Sequence, residues 1–320
     1  MIRLFLDNRT AVLLLLPFII GLYVIGTVFS VDQEHLQRAN GMFFYPTETG
    51  GFWTYFIQSF LILSNAVLLN AVFNSHEFLD KNTYIISLIY VVMTPMFVPL
   101  NQFSPVLFAH FFMIATLSVI FHLKQNTDGK MTVFNAGVLI SFAIIALPYL
   151  LILIPFILIM NVIIRPFLWR ELFLCLAGMS IPLIYYFSYL FLFDQFQFHW
   201  SFPNWSFHQY SKAWNEYPMA ILFFILLLIS LFSLGARMLK SSLRLKKQIQ
   251  MLGLLFTALI FIGSLDFYLS GTLTYLSLAI IPLSYFLTYA FLSKRSGILA
   301  NIFFYLTALY SFVKFFISFT

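Results

Sequence analysis

The segment Phe134–Tyr186 decides the fold: FNAGVLISFAIIALPYLLILIPFILIMNVIIRPFLWRELFLCLAGMSIPLIYY. Its first apolar run extends to Ile164 and is interrupted by Pro148 and Pro155. A polar knot follows, Arg165 to Glu171, and then a second apolar run that holds Gly178 and Pro182. The first run is too long for one ordinary spanning helix and short for two. Two short or re-entrant segments turning near Pro148 fit it. Lipid tolerates such a break only where protein or a watery cavity satisfies the freed backbone groups. The stretch therefore predicts a covered interior inside a helical bundle.

Composition sets the class. Of 320 residues, 62% are hydrophobic and 9% charged, and 42 are Phe. No soluble core needs that much apolar surface, so the chain reads as an all-α integral membrane protein with a single polytopic domain over 1–320. The runs are continuous and lack the alternation of barrel strands, which excludes an outer-membrane barrel. Cys175 is the one cysteine and sits in an apolar run. It reads as a packed thiol, and a disulfide framework is excluded. The first apolar stretch, 12–30, is long enough to span and lacks a small-residue cleavage pattern, so no cleavable signal is expected.

Working outward from the central stretch, membrane segments are expected near 11–30, 53–73, 83–100, 103–123, 133–147, 148–164, 172–193, 217–238, 250–265, 272–292 and 297–318. That is about eleven, with the broken pair taken as two. Loop charge tests the alternation. With the N-terminus in the cytoplasm, that side receives Arg3, Arg9, Lys81, Lys124, Lys130, Arg165, Arg170, Arg237, Lys240, Arg244, Lys246, Lys247, Lys294 and Arg295. The outer side receives only Arg38 and Lys212, and Lys314 lies within the last span. This is a positive-inside pattern. Counting the broken pair as one span would turn Lys240–Lys247 outward. The C-terminus is thereby expected outside. The same pattern explains the net charge of +6 without a nucleic-acid partner. The basic loop 237–248 reads either as a site for anionic headgroups or as the flank that fixes orientation.

Two outer segments are candidates for chemistry. In 31–52, Ser30-Val-Asp-Gln33 fits a capping box that opens a short surface helix ending near Gly41. Glu34 and Arg38 are spaced to pair, which leaves Asp32 less committed. Asp32 could act as a general base on an acceptor hydroxyl, with Glu34 in reserve, or hold a divalent cation on a pyrophosphate. The plainer alternative is a carboxylate that complements the positive end of its helix. The second segment is 194–217, DQFQFHWSFPNWSFHQYSKAWNEY. Its aromatic residues alternate with polar ones at first, as in an extended strand, and Pro203-Asn204 offers a turn. Trp200, Trp205, Tyr210 and Trp214 could stack on a sugar or a polyprenyl chain, or lie at headgroup depth as an interfacial belt. His199 and His208 lack the tight spacing of metal ligands, so no metal site is expected.

Within the spans, His110 stands out because ionisable groups in lipid are costly and often functional. It reads as a cavity wall or proton relay, or as a neutral imidazole bonded to a neighbouring helix. Asn65 and Asn70 read as packing contacts between helices. Arg170 could meet a lipid phosphate, or be neutralised by Glu171. No Walker loop, zinc signature or nucleophile elbow is present, which disfavours an ATP-driven pump.

The motifs Lys81-Asn-Thr-Tyr84, Phe134-Asn-Ala-Gly137, Phe167-Leu-Trp-Arg-Glu171 and Gly178-Met-Ser-Ile-Pro182 resemble an uncharacterised multi-pass inner-membrane family of Bacteroidota. The acidic segment after the first span, together with the broken central pair, is also distantly similar to the polyprenyl-phosphate-sugar-dependent glycosyltransferases of the C superfamily. That resemblance implies a polyprenyl-phosphate sugar donor, a catalytic base at Asp32 or Glu34 and a membrane-facing groove for the donor phosphate. The next outer loop, Asn101-Gln-Phe-Ser-Pro105, lacks the second acid such enzymes often carry. Three functions are thus expected in turn. The first is sugar transfer to an envelope acceptor on the outer face of the bacterial inner membrane. The second is a non-catalytic subunit with a protein partner in an envelope complex of the secretion or motility type. The third is a lipid or small-molecule transporter with His110, Asn135 and Asp266 along its path. Membrane lipids are partners in all three.

Overall fold

The computed structural model describes residues 2–28, 51–79, 81–98, 100, 103–123, 129–164, 168–193, 217–238, 241–270, 274–292 and 296–317. Those residues form helices, and no strand occurs among them. In chain order the helices are α1 (Ile2–Leu6), α2 (Leu16–Val28), α3 (Phe52–Ser75), α4 (Ile85–Phe97), α5 (Val106–Phe121), α6 (Lys130–Ala146), α7 (Ile154–Ile164), α8 (Trp169–Leu192), α9 (Tyr217–Met238), α10 (Leu243–Ser270), α11 (Ile280–Leu292) and α12 (Ser296–Ile317). Short 3-10 segments precede α2 (Thr10–Leu15), α7 (Pro148–Leu153) and α11 (Tyr275–Ala279).

Five helical stretches are long and apolar enough to cross a membrane: Thr10–Val28, Phe52–Ser75, Trp169–Leu192, Leu243–Tyr268 and Tyr275–Leu292. Shorter apolar helices cover Ile85–Phe97, Val106–Phe121, Lys130–Ala146, Pro148–Ile164, Ile221–Gly235 and Gly297–Val313. The eleven expected segments thus all coincide with apolar helices, but only five of those helices are long enough to cross a membrane.

The break in the central run falls where the prolines place it. Leu147 leaves the helical region with φ −136 and ψ 101, and Pro148 opens the next turn. This follows from proline's steric demand that its predecessor be extended. The two halves then separate. α6 packs between α5 and α8, whereas α7 packs against α10.

All of α4 is buried, and α11 is buried through Phe291. These two short helices form the centre of the bundle. α3, α9 and α12 pack around them, and α2 lies against α3 and α4.

Contacts at helix ends give the direction of each helix. At one end, the Tyr84 amide donates to Phe5 O (2.8 Å) and the Asn74 side chain brackets Thr83. At the same end His76 meets His122, the Tyr289 hydroxyl donates to Phe78 O (3.1 Å), and Arg237 lies 5.2 Å from the Tyr289 ring centroid. Lys247 Nζ donates to Ile164 O (3.1 Å), which ties the end of α7 to the start of α10. Asn65 bonds Leu107 near the start of α5, Phe97 packs on Phe223 near the start of α9, and Tyr149 packs on Tyr275. These contacts run α4 away from the basic end and α3, α5, α9 and α11 towards it.

One expectation is corrected. The basic stretch 237–248 is not a loop over its length. α9 continues to Met238 and α10 begins at Leu243, so Arg244, Lys246 and Lys247 stand on helix. Ser242 starts that helix, its Oγ accepting from Leu245 N (3.3 Å) and its carbonyl from Lys246 N (3.0 Å). Leu, Arg, Lys and Gln are strong helix formers, so once capped the segment continues the span.

Candidate functional site

A polar thread crosses the apolar centre. Tyr90 on α4, His110 on α5 and Ser277 before α11 are all completely buried. Tyr90 Oη lies 2.6 Å from His110 Nδ1, and His110 Nε2 lies 3.1 Å from Ser277 Oγ. Ser277 in turn donates its hydroxyl to Thr274 O at 2.6 Å. One proton arrangement satisfies every bond. Ser277 Oγ has spent its hydrogen, so it accepts from His110 Nε2–H, and Nδ1 accepts from the Tyr90 hydroxyl. The imidazole is thus neutral and fully bonded, the least costly form of histidine in an apolar interior.

Asn65 on α3 extends the thread, its amide donating to Leu107 O at 2.9 Å. Thr94 returns its hydroxyl to Tyr90 O at 2.7 Å. Four elements are pinned by a network whose every broken bond would leave a buried polar group. Both His110 nitrogens are committed, so no lone pair remains for a metal. No group of three or more His, Cys, Asp or Glu that could hold a metal ion occurs among the described residues.

At the end away from the basic residues, Asp266 on α10 is buried, and its Oδ2 accepts from Tyr275 N at 3.4 Å. The Tyr149 and Tyr275 rings pack 5.1 Å apart. A carboxylate there offers an acceptor at the start of the 3-10 turn, where backbone donors lack partners within the helix.

At the basic end, His76 follows α3 and is buried, while His122 follows α5 and is exposed. Their ring centroids are 4.5 Å apart and nearly perpendicular. His122 Nδ1 bonds to Ser118 O (2.6 Å). Burial, then the charges of His122 and Arg244, hold the His76 pKa down at about 4.

Of the residues singled out in the sequence, His110 lies in the central thread. Arg170 is exposed in the first turn of α8, at the basic end and apart from His110. Asn135 is exposed on α6, so it does not join His110 and Asp266. Asp32, Glu34, Trp200, Trp205, Tyr210 and Trp214 lie outside the described residues. Sequence reasoning did not find Tyr90 and Ser277 as the partners of His110. The only signal was a polar residue inside each of three apolar runs, and such residues are common.

α6 and α8 approach each other to backbone contact. A Cβ built on Gly137 would strike Cys175 O, and one on Gly178 would strike Phe134 O. Both glycines belong to the motifs quoted above.

The chain belongs to a family of unknown function (DUF6427), whose match covers residues 42–319. That span takes in α3 to α12 and so the thread, Asp266 and the His76–His122 pair. No curated protein and no solved structure matches the chain.

Proposed function

We propose that the chain is a polytopic protein of the bacterial inner membrane that acts on a polyprenyl-linked sugar at the outer face. It crosses the bilayer about eleven times, counting shorter helices that tilt little or thin the bilayer locally. Its N-terminus is cytoplasmic and its C-terminus outer. The observation that carries this reading is the direction of the helices. α2 runs away from the basic end, and α3 and α9 both start at the far end. On this reading the segments that contain Asp32 and Glu34, and Trp200, Trp205, Tyr210 and Trp214, share one end of the bundle. The positive-inside rule makes that end the outer one.

The reaction follows from that placement. Asp32 takes the proton of an acceptor hydroxyl as its oxygen bonds to the anomeric carbon of the sugar. The bond from that carbon to the phosphate oxygen breaks, and polyprenyl phosphate leaves with the electron pair. The aromatic segment holds acceptor or lipid by stacking, and Glu34 assists. Replacing Asp32 by Asn and Glu34 by Gln at normal protein levels is expected to lower sugar transfer in membranes by about a hundredfold or more. Full transfer in both variants contradicts the reading.

One observation favours a second reading, a non-catalytic subunit of an envelope complex. Of the five long helices α8 is the least covered. Trp169, Phe173, Ile184, Tyr185 and Phe191 all point outward from it. A helix of a partner protein would bury this face. Purification in a mild detergent decides: a stoichiometric protein partner supports the subunit, and the chain alone supports the enzyme.

A further inference from the structure

We propose that His76, His122 and Arg244 form a binding site for a phosphate group at the basic end of the bundle, filled by an anionic lipid headgroup or by free phosphate. The inference does not rest on the sugar reading. His76 Nε2 is a buried nitrogen with no hydrogen-bond partner. Such an orphan is costly in a folded protein and calls for an unseen partner. Beside it stand an exposed imidazole, His122, and an exposed guanidinium, Arg244. Among the described residues the charges that act on His76 are of one sign, opposed only by a hydrogen bond to the Ser118 backbone, and the neighbouring Glu77 is exposed.

A second orphan lies one helical turn beyond Arg244, where Gln248 buries its Nε2 without an acceptor. Both orphans are nitrogens, one beside Arg244 and one a turn beyond it. A phosphate suits that setting: it accepts from the Arg244 fork in a charge-assisted pair and from the imidazoles in their protonated form. A divalent cation is disfavoured by the guanidinium. The level is that of the flanks Lys246 and Lys247, where an anionic headgroup would lie.

The test uses the full chain purified in detergent and presented with phosphatidylglycerol, with phosphatidylcholine or with inorganic phosphate. Native mass spectrometry reads retained lipid, and thermal unfolding reads free phosphate. Wild type is expected to retain phosphatidylglycerol in preference to phosphatidylcholine. Arg244→Gln, an exposed change that spares the fold, is expected to lower that retention about tenfold, and Lys246→Gln to change it far less. His76→Gln is expected to act as Arg244→Gln does. If inorganic phosphate raises the unfolding temperature and displaces the lipid, free phosphate is the ligand of the same site. Equal retention of both lipids with no effect of phosphate overturns the proposal, as does retention unchanged in Arg244→Gln.

Discussion

Gly137 on α6 and Gly178 on α8 occupy each other's backbone space: a methyl group on the first would meet Cys175 O, and one on the second Phe134 O. Small residues let helices approach to backbone contact in a membrane, where packing rather than hydrophobic exclusion drives association. The contact is with carbonyl groups, which cannot swing aside as a flexible side chain can. Gly137→Ala or Gly178→Ala is therefore expected to cost about 3 kcal/mol, the upper range for overpacking. Gly253 provides the control, since nothing lies within 4 Å of an added Cβ there. Gly253→Ala should stabilise by about 0.5–1 kcal/mol through helix propensity. Unfolding temperatures of the three variants in one detergent check the contrast.

The histidine thread makes a separate prediction. Tyr90→Phe removes the donor to His110 Nδ1 and leaves that nitrogen buried without a partner. The expected cost is about 1–3 kcal/mol. Ser277→Ala should act similarly through Nε2. The double variant Tyr90→Phe with His110→Leu should cost less than the sum of the two, because both ends of one bond are removed together. A double-mutant cycle on thermal unfolding measures this.

The pattern of expectation and outcome has a physical basis. Apolar length and proline position are local properties, and they located the helices and the turn at Leu147–Pro148. The bond from His110 to Ser277 joins residues 167 apart in the chain, and no local pattern marks it. Gly137 and Gly178 were visible as motif residues, but their mutual contact depends on α6 and α8 lying side by side. The stretch after Arg237 was read as a loop from its charge. Charge says where a segment meets water and not whether it is helical, and Ser242 decides the second question. Asp32 and the aromatic segment remain assigned from the sequence, because they lie outside the described residues.

Acidity should act through His76. Its pKa is about 4 in the folded chain, against an ordinary 6.5, because of burial first and of His122 and Arg244 next. The unfolded chain binds the proton more readily, so stability rises with pH across this interval. The contribution is fully present above about pH 6.5 and is lost as pH falls toward about 4. Unfolding temperature of the wild type should therefore drop more steeply between those values than that of His76→Gln. Parallel curves contradict the assignment. An occupied phosphate site should shift the wild-type curve to lower pH.

Lys247 ties α10 to the last turn of α7 through Ile164 O. A lysine on a carbonyl of the last helical turn also complements the negative end of the dipole. Lys247→Met keeps the stem and removes the charge, and it is expected to cost about 1 kcal/mol. Lys246→Met, one residue before it, should cost less, as read by thermal unfolding in the same detergent.

The orientation of the bundle is tested most directly by thiol labelling, since Cys175 is buried and the native chain should give little background. Single cysteines introduced as Glu34→Cys, Asn204→Cys and Lys246→Cys would be exposed to an impermeant maleimide in intact spheroplasts. The account predicts that the first two react at once and the third only after the membrane is permeabilised. Reaction at position 246 in intact spheroplasts, with 34 and 204 protected, would invert the bundle and remove the outer site on which the proposed function stands.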